Sequence, residues 1–495
     1  MPGVDFSLAM FLAGYDAIVI QGKSAKPAYL AINGEQVAFR DARPLWGLSI
    51  EEAGGLMRAK ETGAGFRTTL RIGRAGENQV KLANVNVDTY RHFGRLGLGA
   101  VLGSKNLKGI TITGPGHYPI PDLPRYNKVY NEIFQKATAP ESMGKYHDLG
   151  TPVNVLSLNA MNSLPTRNLQ QSNFEKAEQI SGEAFAEKHL TRKMACTGCP
   201  VGCIHVGTYR KSFGPGHEYE LVSTAYDYEL LYALGSYLGI EKPEEILSLI
   251  EKVESEGLDA MSTGVALGWA TEALEKGIIS LDEVIVPLTF GNTENYLQAI
   301  DYLTERKNEF YHLLGEGTWK AVEKYGGGDF AALMGKLEMA GYHTGYSSIL
   351  GQTVGARHSH LDNGGYSLDQ SMKEIDKDKI VDFLLKEEAE RCLINTLGLC
   401  LFARKVYDLP TISKALGALG VEKTEEELIQ IGKEVFALKL RVKNKMGFDL
   451  AKTRFPKRFF QTPTLHGVLK EEVMEELLQL YIEKLREYLD QPLPV

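Results

Sequence analysis

Apolar and polar positions change rhythm along the chain. Over the first hundred residues the apolar stretches are short and bounded by glycine, as strands are. Tyr15–Gly22 is a β-branched run closing on glycine, predicting a strand. Asn33-Gly34 parts two apolar segments between Ala28 and Ala38, the pattern of a β-hairpin. Gly54–Lys60 is expected to be helical before further strands. Beyond the proline-rich Pro119–Pro124 the period becomes helical: Ile246, Leu249, Ile250 and Val253 fall on one face, and Gly257 stops that helix. Gly326-Gly-Gly328 marks a second break. After it, Thr424-Glu-Glu-Glu427 makes a capping box ahead of Leu428, Ile431, Val435 and Leu438. The pattern predicts an α+β chain, with a β-rich region over 1–120, a helical one over 121–328 and another over 329–495.

A chain of 495 residues is too long for one core, and about three domains are expected. The net charge of −8 offers no basic field to nucleic acid or anionic lipid. No apolar run approaches the roughly 20 residues of a membrane helix. Met1–Gly14 lacks the basic start and cleavage site of a secretory signal. Five cysteines in this length fit a reducing cytoplasm rather than a disulfide framework.

Those cysteines carry the strongest chemical signal. Cys196, Cys199 and Cys203 are spaced C-x2-C-x3-C, and Cys400 ends a distant Gly-Leu-Cys turn. Three thiolates from one loop and one from afar can hold a [4Fe–4S] cluster. Zinc or a redox disulfide are the alternatives left by spacing alone, although zinc ribbons usually offer two CxxC pairs and this chain has one. Cys392, in an apolar helical context, reads as a buried thiol.

Other groups are weaker. Gly94-Arg-Leu-Gly-Leu-Gly99 is not a dinucleotide fingerprint, yet its amides and the Arg95 guanidinium suit an anion; the alternative is a tight turn between strands. Glu254-x-x-Gly-Leu-Asp259 and Asn395-x-x-Gly-Leu-Cys400 share one local shape. His358 and His360 alternate as on a strand face, with Asp362 as a third polar group. Glu220 and Glu229 recur in near-copies, Glu218-Tyr-Glu220 and Asp227-Tyr-Glu229, and either carboxylate beside tyrosine could act as a base.

Taken together and in order, these segments resemble the aldehyde ferredoxin oxidoreductase family over nearly the whole chain. Ala13-Gly-Tyr-Asp-Ala-Ile-Val19, Arg40-Asp-Ala-Arg-Pro-Leu-Trp46, Ala75-Gly-Glu-Asn78 and Gly99–Lys108 join the cysteines in that likeness. The resemblance implies a tungsten (or molybdenum) bis-pterin centre and a [4Fe–4S] cluster on Cys196, Cys199, Cys203 and Cys400. It implies that Arg95, Leu96, Gly97, Leu98 and Gly99 meet pterin phosphates, and that Glu254, Asp259, Asn395 and Leu399, with His360, hold the pterins. Glu254 and Asn395 stand where the family usually has aspartate. Glu229 is the implied catalytic base, with Glu220 as fallback, and His358 the implied catalytic histidine.

The implied reaction is oxidation of an aldehyde to a carboxylic acid, with electrons leaving to ferredoxin. The family's interface iron motif falls on Ser248 and Glu251, which implies that no bridging iron is bound. The resemblance also implies that the chain begins inside the family's first domain, short by about ninety residues, a large part of a typical domain. A homodimer or a separate N-terminal subunit is the expected assembly.

Overall fold

The computed structural model describes residues 2–489. Its first part is a six-stranded sheet in the order β2-β1-β6-β3-β4-β5. The strands are β1 (Ala28–Asn33), β2 (Gln36–Asp41), β3 (Phe66–Arg71), β4 (Val85–Val87), β5 (Arg91–Phe93) and β6 (Leu107–Gly114). β1 runs parallel to β6 and every other pair is antiparallel. The Asn33-Gly34 hairpin forms as the sequence predicts, with Asn33 opposite Gln36.

Both faces of this sheet are covered, which the alternation along β1 requires. Leu30 and Ile32 pack with Ala9, Leu70, Val85 and Ile112 beneath the helix Pro2–Leu12. Tyr29 and Ala31 point the other way, onto Met57 of the helix Ile50–Lys60. That helix starts on a Ser49/Glu52 capping box.

Two expectations fail here. Tyr15–Gly22 is not a strand: Tyr15, Ile18 and Ile20 pack onto the core while the backbone joins no ladder. Its apolar content is satisfied by burial alone, which sequence pattern cannot separate from pairing. The region expected to be helical after residue 121 also contains a three-stranded antiparallel sheet, β7 (Leu190–Met194), β8 (Ile204–Ser212) and β9 (Tyr219–Tyr226). The cysteine triplet is the loop joining β7 to β8.

The rest is helical. The helix Pro243–Glu256 ends at Gly257 in the left-handed conformation, and Thr424 caps Glu425–Lys445 through the expected box. The helix Ala260–Glu275 is buried almost all round, so it carries no amphipathic signature. One apolar core joins Tyr228, Tyr237 and Trp269 to Leu350, Leu384 and Tyr481, on both sides of Gly326-Gly-Gly328. Among the described residues no helix is long and apolar enough to cross a membrane.

Candidate active site

The distant Cys400 lies near the loop of Cys196, Cys199 and Cys203. Cys199, Cys203 and Cys400 share a small apolar cluster with Met143, Val201, Ala403 and Val406. Burial raises the thiol of Cys203, the Arg91 guanidinium opposes that rise, and the other three thiols reinforce it. None of the five cysteines is in a disulfide. Among the described residues no three His, Cys, Asp or Glu side chains are grouped to hold a single metal ion; the thiols interact without converging on a point. Cys392 stands apart, buried on the helix Lys377–Thr396, with Lys439 Nζ donating to its sulfur at 3.5 Å.

The loop is tied to the N-terminal sheet. Asp5 Oδ1 accepts from the Thr197 amide at 3.3 Å. Arg91, on the edge strand β5, hydrogen-bonds Cys196, and its charge also acts on Cys203 and Asp227. Arg91 therefore links the thiols to the segment that carries the expected base. Nothing in its sequence neighbourhood signals this; it is one arginine on a three-residue strand.

The duplicated motifs share one geometry. Gly257 N donates to Glu254 O and Leu258 N to Val253 O, at 3.0 Å each. Gly398 N donates to Asn395 O at 3.1 Å and Leu399 N to Ile394 O at 3.0 Å. Both are Schellman stops, with glycine at φ +75° and +67°. Their surroundings differ. The first is clamped by the sheet: Asn84 Nδ2 donates to Leu258 O at 2.7 Å, Asp259 N donates to Leu82 O at 2.8 Å, and His92 Nε2 lies 2.6 Å from Glu254. At the second, Asn395 is exposed and a Cβ on Gly398 would meet nothing within 4 Å.

Arg95 lies against the first motif, with Nε 3.6 Å from Asp259 Oδ2. Asp259 also caps the helix Ala260–Glu275, accepting from Ser262 N at 2.8 Å. Arg95 donates through one nitrogen to the Glu338 carbonyl, while its Nε and Nη1 are buried without a hydrogen-bond partner. They border a cavity of about 170 Å³, lined also by Lys81, Leu96, Asp259 and Lys336. Two guanidinium nitrogens without hydrogen-bond partners suit an anionic group, in a cavity whose lining carries as many acids (Asp259, Glu316, Glu338) as bases (Lys81, Arg95, Lys336). The expected glycine loop is in part the helix Leu98–Ser104, entered through a Leu96 strained to φ +71°. Gly99 leaves no room for a Cβ against the Asn84 carbonyl, so the loop presses flat on the same strand that clamps the first motif.

Of the two glutamates, Glu229 is buried in the first turn of the helix Tyr228–Leu234, whereas Glu220 is exposed on β9 opposite Lys211. Glu229 Oε1 lies 3.2 Å from His360 Nε2 and accepts from the Tyr342 hydroxyl at 3.0 Å. Burial pushes the Glu229 carboxyl up, but His360 and Tyr342 outweigh it and hold the group below its ordinary value. Its neighbour Asp227 goes the other way: burial and the Glu229 charge raise it to about 7. Two carboxylates two residues apart are thus pushed in opposite directions.

His358 is not brought to Glu229 by any recorded contact. The segment 355–362 is a turn, not the strand expected from the alternation, and His358 adopts φ +55° within it. Its Nδ1 lies 2.8 Å from the Thr353 carbonyl, its ring meets Phe448 edge-on, and burial lowers it to about 4. Asp362 is engaged by Arg357 at 2.6 Å instead of by the histidines. Arg391 Nη1 donates to the His360 carbonyl at 3.0 Å and so fixes the turn from the helix Lys377–Thr396. Tyr342 lies in a glycine-rich segment whose sequence gives no hint of a role. Ser248 and Glu251 lie on the helix Pro243–Glu256, where Glu251 pairs with Lys211 at 3.2 Å.

Residues 2–114 match the model of the aldehyde ferredoxin oxidoreductase N-terminal domain, and residues 127–490 match that of its domains 2 and 3. The chain belongs to the aldehyde ferredoxin oxidoreductase family. It is 34% identical to the tungsten-containing aldehyde ferredoxin oxidoreductase of Thermococcus kodakarensis and 33% identical to that of Pyrococcus furiosus. Each match covers 96% of this chain and 80% of the relative. It is also 32% identical, over 65% of its length and 52% of the relative's, to the WOR-like subunit of an aliphatic sulfonate oxidoreductase of Pyrococcus furiosus. Among solved structures, the active-site complex BamBC of benzoyl coenzyme A reductase shares the fold at a TM-score of 0.80 and 20% identity. That match covers 96% of this chain and 79% of the other.

Proposed function

We propose that this oxidoreductase converts an aldehyde and water to a carboxylic acid, two protons and two electrons, and passes the electrons singly to ferredoxin. The observation that carries the reading is electrostatic continuity. Arg91 hydrogen-bonds Cys196 and its charge reaches Asp227, and, two residues on, Glu229 lies 3.2 Å from His360 Nε2 and accepts from the Tyr342 hydroxyl at 3.0 Å.

The donor set fits the family's cofactors. Cys196, Cys199, Cys203 and Cys400 supply four thiolates for a [4Fe–4S] cluster. Arg95 would meet an anionic phosphate of a bis-pterin, and Asp259 with the turns at Glu254 and Asn395 would supply polar contacts. When bound, the tungsten-pterin centre accepts the two electrons of the reaction and the cluster relays them.

The protein's own part is proton chemistry. Glu229, held ionised in a buried setting, takes the proton from the attacking water or aldehyde hydrate. His360 can donate Nε2–H to Glu229, and its Nδ1 is buried without a partner. In the imidazolium form that nitrogen becomes a donor for the carbonyl oxygen. Tyr342 fixes the carboxylate and keeps its proton affinity low. His360, not His358, therefore takes the histidine role in this reading.

The test is anaerobic purification with metal analysis and an aldehyde-dependent viologen reduction assay. Iron together with tungsten or molybdenum, and reduction of the dye by aldehyde, is the expected result. Iron without either heavy metal would reduce the chain to an electron-transfer relic, and zinc without iron–sulfur absorbance to a structural protein.

A further inference from the structure

The helix Lys377–Thr396 grips the turn 355–362 near both of its ends. Arg391 holds the far end through the His360 carbonyl at 3.0 Å. Three residues earlier, on the same face of that helix, Glu388 holds the near end. Its carboxylate accepts from the Ala356 amide at 2.8 Å and from Asn363 Nδ2, just past the turn, at 3.4 Å. Asn363 also donates to the Gly351 carbonyl at 2.9 Å, so the helix Tyr346–Val354 that leads into the turn is tied to the same point.

Other side chains answer the rest of the turn's backbone. Asp362 accepts from the amides of Arg357 at 2.7 Å and of Ser359 at 3.2 Å. Lys443, on the helix Glu425–Lys445, donates to the Gly355 carbonyl at 2.9 Å. His360 therefore stands on a backbone that is fixed from outside, by groups on two helices as well as by Asp362.

Glu388 is the costly member of this set. It is 1% exposed, and the donors it meets are neutral amides. Burial and the Asp362 charge raise its carboxyl to about 7, while the Ala356 amide, Lys439 and Asn363 work against that rise. An apolar side chain of the same volume would cost the fold less than a buried acid. What the acid supplies, and an apolar side chain cannot, is a fixed acceptor for the first free amide of the turn.

We propose that Glu388 is a positioning residue for the oxidation: by anchoring the Ala356 amide and Asn363 it sets the turn so that His360 Nε2 meets Glu229. It acts through the turn and takes no part in the proton transfer. The inference rests on the function proposed above, in which His360 serves the base.

The test joins amide exchange to kinetics on the full-length holoprotein. Glu388→Met keeps the volume and removes the acceptor. Hydrogen–deuterium exchange should quicken in the peptide spanning 355–362 and keep the wild-type rate in the peptide that carries Glu229. Iron and heavy-metal content should be unchanged. The kcat of aldehyde-dependent dye reduction should fall about 10- to 100-fold, with KM held within about twofold. Glu388→Gln, whose side-chain oxygen can still accept from Ala356, should recover most of the rate. In a His360→Asn background Glu388→Met should cost nothing further, because the group it positions is gone. Glu388→Asp keeps the charge and shortens the reach; it serves if the Met variant does not fold, and should show the same pattern at smaller size.

Unchanged exchange in 355–362 overturns the inference. So does quicker exchange with undiminished kcat, which would leave Glu388 a purely structural residue. An equal fractional loss in the His360→Asn background also overturns it, by placing the effect elsewhere. A wild type inactive toward aldehydes overturns the proposed function and this inference with it. An active wild type with any of those three results overturns this inference alone.

Discussion

His360 Nε2 lies 3.2 Å from Glu229 Oε1, joining a turn in the C-terminal half of the chain to the first turn of a helix 131 positions earlier. Neither residue is placed by its own element alone. Arg391 holds the turn through the His360 carbonyl, and Asp227 caps the helix by accepting from Leu230 N at 3.2 Å. If Glu229 is the base, Glu229→Gln should lower turnover by about 10²–10⁴-fold while iron and the heavy metal stay bound. His360→Asn should cost more activity than His358→Asn. A larger loss from His358→Asn would return the role to His358.

Tyr342→Phe removes the hydroxyl that donates to Glu229 at 3.0 Å. Burial already favours the neutral acid, so losing a donor to the charged form raises the Glu229 carboxyl. The acidic limb of the activity–pH profile should move to higher pH, with a loss of about 1 kcal/mol or less in the base's ionisation. The profile, more than the maximal rate, is the measurement that decides.

Cys400→Ser and Cys199→Ser should each lower the iron content and the visible absorbance of the purified protein. Cys392→Ser should leave both unchanged, since Cys392 sits on another part of its helix beside Lys439. Iron lost equally from Cys392→Ser would show that a different four thiols hold the cluster.

His343 is fully buried with Nε2 3.0 Å from the Thr462 carbonyl, and burial lowers it from 6.5 to about 4. A depressed histidine binds its proton in the unfolded chain first. Its contribution to stability is therefore present above pH 6.5 and is lost as pH falls from about 6.5 to about 4. The thermal midpoint of wild type should exceed that of His343→Gln most at neutral pH, with the gap narrowing as the solution is acidified. A gap independent of pH would contradict it.

Gly257→Ala and Gly398→Ala test the duplicated turns. Both glycines are left-handed, so each variant meets conformational strain of about 1 kcal/mol. At Gly257 the new Cβ would also lie 2.7 Å from Gly73 N, against the sheet. Gly257→Ala should therefore be the more destabilising by denaturant titration, by about 1–3 kcal/mol. Gly398→Ala should show mainly the strain.

Local sequence was enough for the Asn33-Gly34 hairpin, the Thr424 capping box, and the stops at Gly257 and Gly398. Each depends on residue type at fixed spacing, where the physics acts over a few bonds. The β7–β9 sheet and the fate of Tyr15–Gly22 were not legible, because a short apolar run has the same pattern whether it pairs, coils or lies under a helix. The helix Ala260–Glu275 shows the same limit, since burial on all sides erases its period.

What only the tertiary structure decided is which polar groups share low-dielectric space. The family resemblance put Glu229 ahead of Glu220 and gave the catalytic role to His358, with His360 among the pterin contacts. Packing sets them in different surroundings: Glu229 is enclosed with His360 and Tyr342, Glu220 is left opposite Lys211 at the surface, and His358 is turned against Phe448. Spacing along the chain determined which ligands could gather, because short loops fix where their side chains begin. Long-range burial decided which charges are coupled, because only there is their interaction strong enough to set protonation.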